Sequence, residues 1–142
     1  MKNSILKFFG ILTIASSLLI GCSTSEDDKP SSSFVVDANN LQGMINDGEV
    51  ILNATTVYRL TGRLQVNNGA VLTIPAGTRI EATGGTAAYI AVAQGGKINV
   101  NGTSTNPVVM TSGLAVKAPG DWGGLVICGK APINTVSGGT QT

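Results

Sequence analysis

The 142-residue sequence predicts an all-β protein built as a parallel β-helix, a solenoid of short strands. Three observations lead there. First, a phrase repeats at about 26 residues: Val66 answers to Val92, Gly69 to Gly95, Leu72 to Ile98 and Ile74 to Val100. Second, the units between repeats are short apolar runs, Leu64-Gln65-Val66, Val71-Leu72-Thr73-Ile74 and Thr78-Arg79-Ile80-Glu81. Corners rich in Gly and Asn separate them. Third, three such runs fill each period, and the corners are too short for a hairpin return. A period in the twenties with three strands per repeat is the pattern of stacked coils.

Taken in order, residues 1–21 read as a signal segment. Lys2 and Lys7 precede an apolar run, Phe8 to Ile20, and a small residue, Gly21, stands before the expected cut. The run is shorter than the roughly 20 residues a membrane span needs. Leu19-Ile20-Gly21-Cys22 resembles the lipobox of bacterial lipoproteins, in which cleavage falls between the positions of Gly21 and Cys22 and the cysteine is acylated. The other reading is an ordinary signal peptide with a chance cysteine. Residues 22–33 (Cys22, then Ser23-Thr24-Ser25-Glu26-Asp27-Asp28-Lys29-Pro30 and three serines) have almost nothing apolar to bury, which predicts a solvated tether. An acidic cluster just after the cysteine also resembles the surface-export signal of Bacteroidota-type lipoproteins.

Residues 34–53 are the expected N-terminal cap, since the open end of a solenoid needs cover. Phe34-Val35-Val36 suggests a short strand. Leu41, Met44 and Ile45 fall at helical spacing and suggest one or two helical turns. Val50-Ile51-Leu52 begins a strand after Gly48. Residues 54–142 are the expected coils. Alternation turns Leu64, Val66, Leu72, Ile74, Ile80, Ile90, Val92, Ile98 and Val100 inward, and Gln65, Thr73, Arg79, Glu81, Lys97 and Asn99 outward. A further strand covers Pro107 to Thr111, and an insertion, Ser112 to Asp121, lengthens one turn. Leu125, Ile127 and Ile133 then lie 35 positions beyond Ile90, Val92 and Ile98, so the columns are expected to continue. The chain stops at Thr142 partway through a third coil, with no capping sequence after it. The expectation is a cap plus about three coils of a longer protein, with a partner covering the end as the alternative.

Charge and residue types exclude several functions. The chain has no histidine, so it has no imidazole base, no His-ligated zinc and no Ser-His-Asp relay. Without residues 1–21, seven basic side chains face eight acidic ones, which argues against nucleic acid as a partner. Of the two cysteines, Cys22 belongs to the expected anchor and Cys128 is left alone, so no disulfide framework is expected. Cys128, at the corner matching Ala93, reads as a small buried residue, with an exposed thiol as the alternative. No cofactor and no metal site is expected.

Four phrases carry a resemblance: Val57 to Val66, Gly69 to Thr78, Pro107 to Ser112, and Gly120-Asp121-Trp122-Gly123-Gly124-Leu125 through Asn134. Together they resemble a family of Bacteroidota cell-surface lipoproteins whose members are right-handed parallel β-helices, mostly uncharacterised. The resemblance implies that fold and a cell-envelope location; with the acidic cluster behind Cys22, the expected address is the outer membrane, exposed at the surface, with a plain acidic linker facing the periplasm as the alternative. The resemblance supplies no catalytic residues.

Within the coils Glu81 and Asp121 are the sole carboxylates, and the repeat does not stack them. Lys97 stacks over Val71 and Arg63 falls near Tyr89, so no basic column forms either. No catalytic residues are therefore assigned. Trp122 and Asp121, on the insertion, are the candidate ligand contacts: Trp for stacking on a sugar, Asp for accepting hydroxyl hydrogen bonds. The competing reading folds Trp122 back over the coil and has Asp121 close the turn. The expected function is a lipid-anchored, non-enzymatic display or binding module with a glycan, a host surface or an envelope protein as ligand. The alternative is the N-terminal part of a β-helix polysaccharide lyase or hydrolase whose catalytic coils lie beyond residue 142.

Overall fold

The computed structural model describes residues 31–131 with the short pairs Ile133–Asn134 and Thr140–Gln141. The signal segment, Cys22 and most of the tether lie outside the described residues. Strands β1 (Leu41–Ile45), β2 (Glu49–Ile51), β3 (Val57–Val66), β4 (Val71–Pro75), β5 (Arg79–Ala82), β6 (Tyr89–Val92), β7 (Lys97–Asn101), β8 (Val109–Ser112) and β9 (Gly124–Ile127) are joined by tight corners and a single 3₁₀ turn at Gly85–Ala87. All pairings among these nine strands are parallel.

The strands make three faces of a parallel β-helix. The first stacks β2, β4 and β7. The ten-residue β3 supplies the other two. Its Val57–Leu60 half pairs with β5, on which β8 lies, and its Arg63–Val66 half lies between β1 and β6, followed by β9. The expected spacing holds: Val66 pairs with Val92, Leu72 with Ile98 and Ile74 with Val100. The 35-residue step holds too, with Ile90 against Leu125 and Val92 against Ile127.

A side chain every second residue points into the coil, and these residues form one continuous core. Leu60, Leu64, Val66, Leu72, Ile74 and Ile90 are completely buried. Burying each such side chain contributes about 1.5–3 kcal/mol, so the columns hold the stack together. Tyr58 joins them, and its hydroxyl is met by the Asn53 N–H at 2.7 Å. Thr78 is buried as well, with its hydroxyl donating to the Pro75 carbonyl at 2.8 Å. Both polar groups are satisfied, as burial requires.

At the N-terminal end the structure departs from the helical expectation. Leu41–Ile45 is a strand paired with β3, not a helical turn. Leu41 and Ile45 are four apart, which puts them on one face of a helix or of a strand alike. The edge of β3 resolved the ambiguity in favour of a strand. The register slips between Leu41 and Gly43, where Gly43 has φ 119° and Phe34 packs over it. Phe34-Val35-Val36 forms no strand. The end of the tether is tied down: Ser31 bridges to Glu49, and the Ser33 N–H and hydroxyl donate to Asp47 at 2.9 and 3.1 Å.

Two further differences lie at the other end. Ile98 is half-buried and Val100 is 46% exposed, because no described strand stacks on β7. Ile133 does not continue their column; with Asn134 it pairs antiparallel with Thr140–Gln141.

Candidate functional site

The outer surface, not the packed interior, is where chemistry is accessible. Its charged groups gather on the face built by β3, β5 and β8. Arg79 and Glu81 alternate outward on β5, and their side chains close on each other at 2.8 Å. Arg59 lies beside Glu81 on the preceding coil and Thr111 on the next. The Arg79 hydrogen bond is the main influence on Glu81. With the charges of Arg79, Lys117 and Arg59, it holds the carboxyl below its usual range against the opposing effect of desolvation. Glu81 is therefore a carboxylate at neutral pH and not a stored proton.

The insertion between β8 and β9 leaves the barrel at Ser112 and returns at Gly124. It is closed from within. Lys117 folds its ammonium back onto the carbonyls of Ser112 and Leu114, and Asp121 accepts the Ala118 N–H at 2.8 Å. That backbone bond, a Ser112 hydrogen bond and the Lys117 charge lower the Asp121 pKa. Trp122 is half-buried and packs against the core cluster. Gly123 passes so close to the coil that a Cβ would sit 2.6 Å from the Thr86 carbonyl and 2.8 Å from the Tyr89 Cβ. The two proposed ligand contacts thus sit side by side at the loop's return, Asp121 as turn closure and Trp122 against the core.

A second outward feature adjoins that return. Tyr89, half-buried, stands on β6 between Arg63 of the coil below and Gly124 of the coil above. Gly124 has φ 81°, and a side chain there would meet nothing within 4 Å. The Arg63 side has a guanidinium, and the Gly124 side is an open gap. In the sequence Arg63 falls near Tyr89, but residue type and spacing alone do not mark Tyr89 as a contact. The 35-residue step, which sets Gly124 over Tyr89, is the signal that would have shown it.

Cys128, expected to be buried, is exposed as a free thiol. Its N–H still bonds the Val92 carbonyl at 2.9 Å, but no described coil covers it. Among the described residues no group of His, Cys, Asp or Glu is arranged to hold a metal ion.

No curated protein and no solved structure matches the chain. The family described as pectate-lyase-like β-helix domains matches residues 43–142, well over half of the sequence, and covers every coil described above. The parallel stacking, the buried columns and this match agree, and the chain belongs to the pectate-lyase-like β-helix domain family.

Proposed function

We propose that the chain is a lipid-anchored protein of the cell envelope, carried on the outer membrane of a Bacteroidota-type bacterium and exposed at its surface. Its β-helix acts there as a non-enzymatic display or binding module for a glycan, a host surface or an envelope partner. The anchor rests on Leu19-Ile20-Gly21-Cys22 and the acidic tether behind it. The observation that carries the binding role is the state of the coil carboxylates. Glu81 is neutralised by Arg79, and Asp121 is committed to the Ala118 N–H. A glycosidase needs one carboxyl that keeps its proton near neutral pH, and both of these are shifted the other way. Rigid strand faces suit an extended ligand instead.

Expression with labelled palmitate in a bacterial host tests the anchor. The label is expected on the full chain and in the outer-membrane fraction, and Cys22→Ser is expected to lose both. Protease added to intact cells should remove the domain if it faces outward. The other reading takes the family's description at its word and makes the chain part of a polysaccharide lyase or hydrolase. Turnover of polygalacturonate by the full-length product, read as unsaturated ends or new reducing ends, would favour that reading over a binding module.

A further inference from the structure

We propose that Tyr89, flanked by Arg63 and the gap at Gly124, is the contact point for a single sugar ring of a glycan. This deepens the binding-module reading and rests on it. Three placements converge on Tyr89. The ring stands outward on β6, in the middle of a stack of parallel strands, so its position is set by the ladder on both sides. Below it, Arg63 is exposed and has no ion-pair partner among the described residues, in contrast to Arg79, which is paired with Glu81. Above it, Gly124 carries no side chain, and the space its Cβ would occupy is open.

The dimensions fit one sugar. Neighbouring strands lie about 4.8 Å apart, so the Arg63 and Gly124 rows are separated by roughly twice that, with Tyr89 between them. A pyranose laid on the Tyr89 ring would place C–H groups against the aromatic face and turn hydroxyls toward the forked donors of Arg63. The coil body favours this further. From residue 54 on, Arg59, Arg63, Arg79, Lys97, Lys117 and Lys130 stand against Glu81 and Asp121, so a ring carrying a negative group is not repelled. The return of the insertion passes beside Tyr89, where a Cβ on Gly123 would lie 2.8 Å from the Tyr89 Cβ.

The test is titration of the full chain in detergent with two probes, cellohexaose and hexagalacturonate, followed by heteronuclear NMR. Saturable shifts are expected at the Tyr89 ring and the Arg63 guanidinium with at least one probe. Tyr89→Ala should weaken binding tenfold or more, while Tyr89→Phe keeps it. Arg63→Gln should weaken the acidic probe more than the neutral one. Tyr89 points outward, so an unchanged circular dichroism spectrum is expected for each variant. Binding that survives Tyr89→Ala would overturn this site and leave the binding-module reading standing. Absence of binding to both probes at millimolar concentration would overturn the site and the glycan part of that reading together.

Discussion

At the scale of single residues, space decides more than propensity. Gly84 has an ordinary backbone conformation, yet a Cβ there would lie 2.1 Å from the Thr61 carbonyl oxygen. Gly69 is the opposite case, with φ 84° and nothing within 4 Å. Gly69→Ala is expected to cost about 1–2 kcal/mol, from left-handed strain alone. Gly84→Ala must displace backbone and should cost more, about 2–3 kcal/mol or above. Urea denaturation of the two variants checks the order, and a smaller loss at Gly84 would refute it. Charge works at the same scale. Glu81 has a folded pKa below its unfolded one, so the unfolded chain binds the proton more readily. The stability this contributes is present above the unfolded pKa and is lost as pH falls through the folded one. The midpoint of unfolding should therefore drop below about pH 4.5, near the ordinary carboxylate value. Glu81→Gln should flatten that part of the profile while leaving the neutral-pH fold intact.

Strands show what was legible in advance and what was not. The 26-residue step placed β4 under β7 and β3 under β6 correctly, because each strand carries its own inward column and a one-residue slip would turn that column to solvent. The insertion likewise revealed itself by preserving the 35-residue match of Ile90 to Leu125. Leu41–Ile45 is ambiguous in sequence because a spacing of four suits both helix and strand, and its partners on β3, Leu60 to Val66, lie 19 to 21 positions further on. The site was less legible than the coil. Asp121 and Trp122 stand out by residue type, but their roles depend on where the loop returns, and that is set by Gly123 against Tyr89. Burial separates strand positions that look alike in sequence. Leu72 on β4 is fully buried between coils, while its counterpart two residues and one coil on, Val100 on β7, is 46% exposed. Leu72→Ala is expected to cost about 2–5 kcal/mol, and Val100→Ala well under half of that. Comparable losses at both would mean that β7 is covered in solution.

For the molecule as a whole, the two ends differ. The N-terminal end is closed by its own chain: Phe34 over Gly43, Ser31 bridged to Glu49, and the serines held by Asp47. At the other end, the outer edges of β7, β8 and β9 pair with no described strand. Inward positions there are open to water: Leu125 is 39% and Ile127 62% exposed, against at most 2% for Ile90 and Val92 directly beneath. Free parallel edges beside apolar columns are a template for further strand pairing. Purified as it stands, the chain is expected to self-associate as its concentration rises, and analytical ultracentrifugation would show this as a growing sedimentation coefficient. Ile127→Lys puts a charge on the exposed column without touching the buried one, so it should suppress association while leaving the unfolding midpoint nearly unchanged. If the wild-type chain stays monomeric at high concentration, its open edge is protected in solution. If Ile127→Lys unfolds the chain instead, Ile127 is part of the core and the rim is closed.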